Sequence, residues 1–189
     1  MAGTDDVFEG ALAGAGERIR SVGEDQWGHD TPCSEWDVRA LVHHLVAELR
    51  WMPPLLAGRT IAEVGDALDG DLLGDDPKAA WEAAVREARE AVADPGALGR
   101  TAHLSYADVP GADYVFEVSA DLTIHAWDLA RAIGADERLD PGLLELFAPW
   151  YAERIEAMRQ AGIFAGGLEP PPDADEQTRL LALLGRRSW

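Results

Sequence analysis

Apolar residues recur along most of the chain at helical spacing, and strict alternation is nearly absent. From Asp5 to about Val22, the residues Val7, Phe8, Ala11, Leu12 and Ile19 share one face, which predicts a first helix. The turn WGHDTPCSEW follows, and Ser34 reads as an N-cap with Asp37 three residues on as a capping-box variant. The next helix carries its core stripe on Val38, Leu41, Val42, Leu45 and Leu49. It is expected to stop near Trp51, before Met52-Pro53-Pro54.

Ile61 to Gly74 is rich in Gly and Asp and reads as loop with a short helix. Asp76-Pro77 opens a third helix carrying Trp81, Ala84, Val85, Ala88 and Val92, which Asp94-Pro95-Gly96 ends. Leu98 to Asp113 reads as irregular or extended. A fourth helix is expected from about Tyr114 to a C-cap at Gly134. Asp140-Pro141 opens an amphipathic helix running to Gly162, and a Pro-rich excursion, GGLEPPPDAD, precedes a short last helix in ADEQTRLLALLG. The pattern predicts an all-α fold: a four-helix bundle with short extra helices and an irregular segment before the fourth main helix.

Composition narrows the function classes. A chain of 189 residues, 47% hydrophobic, is long enough for one core, and a single domain over 1–189 is expected. The net charge of −19 argues against nucleic acid and against an anionic membrane as partners. No apolar run is long enough to span a bilayer, and the N-terminal MAGTDDVFEG lacks the basic and apolar regions of a signal peptide, so a cytoplasmic location is expected. The one cysteine, Cys33, rules out an internal disulfide; it reads as a nucleophile or metal ligand or, favoured because no local partner accompanies it, as a small buried residue in the turn before a helix.

Candidate chemistry concentrates in ADLTIHAWDLARAIG. At about 100° per residue, Asp121, His125 and Asp128 fall within about 60° of one another. The trio borders the apolar stripe of Val118, Leu122, Leu129 and Ile133, and the nearest cation, Arg131, points elsewhere. Two readings fit: a histidine hydrogen-bonded between two carboxylates, or Asp121 and His125 as an i, i+4 pair of metal ligands that needs a third donor from another helix. The second helix offers His43 and His44. His44 shares its side with Ala40, Leu41, Ala47 and Trp51, whereas His43 lies with Arg39 and Arg50, so His44 is the inward residue. His29, beside Asp30, reads as a surface residue, and His103 as a loop residue or a wall of a pocket mouth. Two histidines and one carboxylate leave coordination positions open, and they suit zinc, nickel, copper or iron.

TPCSEWDVRALVHHLV followed by DLTIHAWDLARAIG resembles the DinB-like (YfiT-like) metalloenzymes, in particular the branch containing the N-terminal domain of mycothiol-dependent maleylpyruvate isomerase. The resemblance covers nearly the whole chain. It implies a four-helix bundle with a divalent metal at one end, held by His44, Asp121 and His125, and zinc, nickel or iron as the ion. Asp121 stands where that branch has Glu, one methylene longer. The resemblance also implies use of mycothiol or another small thiol, with isomerisation or transfer on a small electrophilic metabolite as the activity. Because the chain reads as ending after the bundle, without the isomerase's separate C-terminal domain, maleylpyruvate itself is not the expected substrate. Asp128 and His103 are the catalytic candidates, with Asp128 able to orient a ligand from behind, and Trp51 and Trp127 are candidates for lining a cofactor pocket. The alternatives are a thiol-independent isomerase or cyclase using acid–base groups, and a small-molecule-binding bundle without catalysis. An apolar bundle face would permit a homodimer.

Overall fold

The computed structural model describes residues 3–162 and 166–189; Met1 and Ala2, part of the N-terminal stretch read above, lie outside them. The chain forms two compact units, Met1–Glu137 and Arg138–Trp189. In the first, α1 (Thr4–Ser21), α2 (Val38–Leu56), α4 (Pro77–Val92) and α5 (Gly111–Ile133) form the expected four-helix bundle, with the short α3 (Ile61–Val64) between the second and third of them. Helix α1 packs along α5 and α2 along α4, while α2 also meets α5 and α1 meets α4, which closes the ring. Phe8, Ile19, Leu41, Leu45, Leu49, Trp81, Leu122 and Ile124 are almost wholly buried inside it. Each such side chain contributes about 1.5–3 kcal/mol by leaving water.

Helix α2 departs from expectation at both ends. Asp37, not Ser34, is its N-cap: the Asp37 carboxylate accepts from the Ala40 N–H at 2.8 Å. The preceding turn is fastened instead by Thr31, whose hydroxyl donates to the Trp36 carbonyl at 2.8 Å and accepts from the Cys33 N–H at 3.1 Å. At the other end the helix runs through Pro53 and Pro54 to Leu56. Two prolines remove two backbone donors, but they sit in the last turn, and the Ala57 and Arg59 N–H groups bond back to the Pro53 and Pro54 carbonyls. Met52, Leu55 and Leu56 are buried, so packing carries the helix past the expected stop.

The segment before α5 is more regular than its composition suggests. After a 3-10 turn at Ala97–Gly99, β1 (Thr101–His103) and β2 (Asp108–Pro110) form an antiparallel hairpin, pairing Ala102 with Val109. Helix α5 then starts at Gly111, three residues before the expected Tyr114. Glycine is required there, because a Cβ would lie 2.2 Å from the Ala97 carbonyl oxygen.

In the second unit, α6 (Pro141–Gln160) starts at the Asp140 cap and α7 (Glu176–Leu183) at Asp175. Helix α7 buries Leu180 and Leu181 and packs on α6, and the Arg159 guanidinium donates to the Leu183 carbonyl at 2.7 Å. No helix among the described residues is long and apolar enough to cross a membrane.

The capping assignment is tested by two substitutions. Asp37→Ala is expected to cost about 1 kcal/mol in chemical denaturation, and Ser34→Ala less than about 0.5 kcal/mol.

Candidate metal centre

Three donors meet where α2 crosses α5. His44, on the inner face of α2, brings its Nε2 to 3.0 Å from Asp121 Oδ2. One turn along α5, His125 Nε2 lies 3.4 Å from Asp121 Oδ1. The two imidazoles are edge to face, with centroids 5.1 Å apart. One donor atom from each of the three residues falls within 4.8 Å of the others. Aspartate, though shorter than glutamate, thus reaches both rings. His43 turns the other way and its Nε2 meets the Gly70 carbonyl at 2.9 Å.

Burial pushes the Asp121 carboxyl up, but the charges and hydrogen bonds of His125 and His44 outweigh it and hold the group well below the usual carboxylate range. Burial likewise disfavours charge on His125. The Asp121 charge and hydrogen bonds to Asp121, Asp128 and Cys33 outweigh it, so the ring holds a proton well above the usual histidine range.

Behind the cluster, Asp128 Oδ2 lies 2.9 Å from His125 Nδ1 and the carboxylate is wholly buried. An imidazole whose Nδ1–H donates to Asp128 keeps its lone pair on Nε2, the nitrogen turned toward Asp121 and His44. This arrangement of carboxylate, imidazole and open donor set fits a divalent ion held by His44, Asp121 and His125.

The other sequence candidates lie elsewhere. His103 pairs with Asp108 across the hairpin, Nδ1 to Oδ1 at 2.8 Å. Trp127, two residues from His125, points to a different side of α5. It is buried in the core under the Arg131 guanidinium, and its Nε1 has no hydrogen-bond partner among the described residues. Trp51 is half-buried, two turns beyond His44 on α2. His29 is exposed, as expected.

Two residues at the centre, Trp36 and Glu48, were not singled out by the sequence, and Cys33 was read chiefly as a turn residue. Trp36 packs on the His44 ring, centroids 4.7 Å apart, and reaches 5.8 Å from His125. With Arg39, His43, His44 and Asp71 it lines a solvent-open cleft of about 540 Å³. Glu48 follows His44 by one turn; burial first, then the Asp121 and Glu117 charges, raise its carboxyl to about 6 against the lowering effect of the two histidines. The i, i+4 spacing from His44 was the available signal. Cys33, read as partnerless, brings its Sγ to 3.4 Å from Asp128 Oδ2 and 3.8 Å from His125 Nδ1.

Fold and site together define a helical bundle with a two-histidine, one-carboxylate cluster at one end. The family model for the mycothiol maleylpyruvate isomerase N-terminal domain matches residues 8–130, and the chain belongs to that family. Two proteins of Mycobacterium tuberculosis, from strains CDC 1551 / Oshkosh and ATCC 25618 / H37Rv and both described as uncharacterized, are each 32% identical over 177 residues, covering 89% of either chain. Among solved structures, mycothiol-dependent maleylpyruvate isomerase superposes with a TM-score of 0.62 at 16% identity, and a histidine-to-alanine variant of it with 0.65 at 15%. Each match covers 93% of this chain and 81% of the other, and shows the shared DinB-like fold.

Glu48 gives a signed pH prediction. Its folded-state pKa lies above the ordinary 4.5, so its ionisation opposes folding, with no penalty below about pH 4.5 and a growing one as pH rises through about 6. Glu48→Gln should therefore stabilise the metal-free protein by about 1 kcal/mol at pH 8 and give no gain at pH 4, measured by urea denaturation.

Proposed function

We propose that this protein is a metal-dependent enzyme that uses a small thiol of the mycothiol type to isomerise, or transfer a group to, a small electrophilic metabolite. The convergence of His44, Asp121 and His125 beside a solvent-open cleft carries the reading. Family membership supports the thiol dependence. Zinc is the ion best matched to the donors.

A divalent ion held by these three residues would lower the pKa of a thiol bound in an open position, so that thiolate is present at neutral pH. The chain's own groups do the rest. Asp128 fixes the His125 ring from behind. Trp36 covers both imidazoles and keeps water from that side. Glu48, poised near neutrality one turn from His44, is placed to hold or release a proton for a ligand in the site. Arg39 and His43 offer polar contacts along the cleft, where Arg39 is paired with Asp71 at 2.9 Å.

Elemental analysis of protein purified without a chelating tag tests the reading. About one equivalent of metal is expected in the wild type and none in His125→Ala. Asp128→Asn should weaken binding by about 10–100-fold. Affinity should fall as pH falls, because His125 must give up its proton to bind metal and holds it to unusually high pH. A wild type without stoichiometric metal would reject the proposal. Turnover that survives complete removal of thiols would leave the metal and reject the thiol.

A further inference from the structure

His125 has donors on both sides of its ring, and only one side belongs to the centre described above. On the Nδ1 side stand Cys33 Sγ and Asp128 Oδ2. The separations are 3.8 Å from sulfur to Nδ1, 3.4 Å from sulfur to Oδ2 and 2.9 Å from Nδ1 to Oδ2. Tetrahedral coordination with metal–sulfur bonds of about 2.3 Å and metal–nitrogen or metal–oxygen bonds of about 2.0 Å puts donor atoms roughly 3.3–3.6 Å apart. The three atoms therefore stand within a few tenths of an ångström of that spacing. The sulfur is set there by backbone: the Cys33 N–H donates to Thr31 Oγ1 at 3.1 Å, and the Cys33 carbonyl accepts from the Trp36 N–H at 2.8 Å. Cys33 is half-buried and Asp128 wholly buried, so the set has a wet entrance and a dry floor.

We propose that Cys33, His125 and Asp128 form a second metal-binding set for thiophilic divalent cations, filled in exclusion of the first set through the shared His125 ring. Binding releases the Cys33 thiol proton to solvent. Thiolate and carboxylate together neutralise a divalent charge, and the sulfur favours zinc, cadmium or cobalt over magnesium or calcium. Exclusion follows from the ring itself, since a neutral imidazole has one lone pair. With an ion at Nδ1, the proton sits on Nε2 and donates to Asp121 Oδ1, 3.4 Å away. With an ion at Nε2, the proton sits on Nδ1 and donates to Asp128. The ring thus selects one set or the other by a change of tautomer, and a thiophilic ion in the second set withdraws His125 from the first.

Cobalt(II) titration of the metal-free full-length protein tests this, because the chain's one cysteine makes a near-ultraviolet sulfur-to-cobalt charge-transfer band unambiguous. His44→Ala, which disables the first set, should bind one cobalt with that band, and His44→Ala/Cys33→Ser should lose the band and the binding. Asp121→Ala serves the same purpose should His44→Ala not fold. Wild type should bind one equivalent in total. Absence of the band in both first-set variants, or two equivalents bound at once by wild type, would overturn the proposal. The exclusion rests on the first set proposed above, but the charge-transfer band does not: a native protein without metal would defeat the first set and leave the Cys33 set to the cobalt titration.

Discussion

A carboxyl group with no exposed surface, that of Asp128, is the constraint around which the histidine cluster of the bundle is built. A carboxyl group in the interior needs donors to replace the water it has lost. His125 supplies one from its own helix, and Cys33 another from the turn before α2. That second contact docks a loop onto α5 across 95 residues of sequence. Once docked, the loop places Trp36 over both imidazoles and delivers Asp37 to cap α2. The cap fixes where α2 begins, and so the rotation that turns His44 inward and His43 out.

Residues that share a helix were legible in the sequence. The apolar stripes of the four main helices gave their number and approximate extent, and projection at about 100° per residue separated His44 from His43 and gathered Asp121, His125 and Asp128 on one side. Contacts between elements were hidden. The Cys33 backbone is bonded within its own turn, but its sulfur meets Asp128 and His125 on α5. The rings that Trp36 meets, His44 on α2 and His125 on α5, come together only in the fold. Trp51 and Trp127 share helices with the metal-site residues, yet Trp127 packs into the core, because proximity in sequence does not fix the side of a helix. The end of α2 was misjudged because local proline chemistry was weighed without the buried Met52, Leu55 and Leu56 that hold its last turn.

The surface charge and the charge at the centre act on different scales. A net charge of −19 sets solubility and discourages polyanions. Within the centre, two histidines stand among the carboxyl groups of Asp121, Asp128, Glu48 and Glu117, so acidic and imidazole groups are concentrated at one place. The shorter Asp121 is accommodated because α2 and α5 approach closely enough for one carboxylate to meet both rings.

The hairpin before α5 sets an order of assembly. Strand β2 runs straight into α5, and the Tyr106 hydroxyl donates to Glu117 across 11 residues of chain. The His44–Asp121 contact spans 77 residues and the Cys33–Asp128 contact 95. Loop-closure entropy favours the short ring first. The N-terminal half of α5 can thus form as a local nucleus, while the chemistry-bearing half waits for α2 and its leading turn to arrive. Loop closure thus favours ordering of the hairpin end of α5 before the half that bears Asp121, His125 and Asp128.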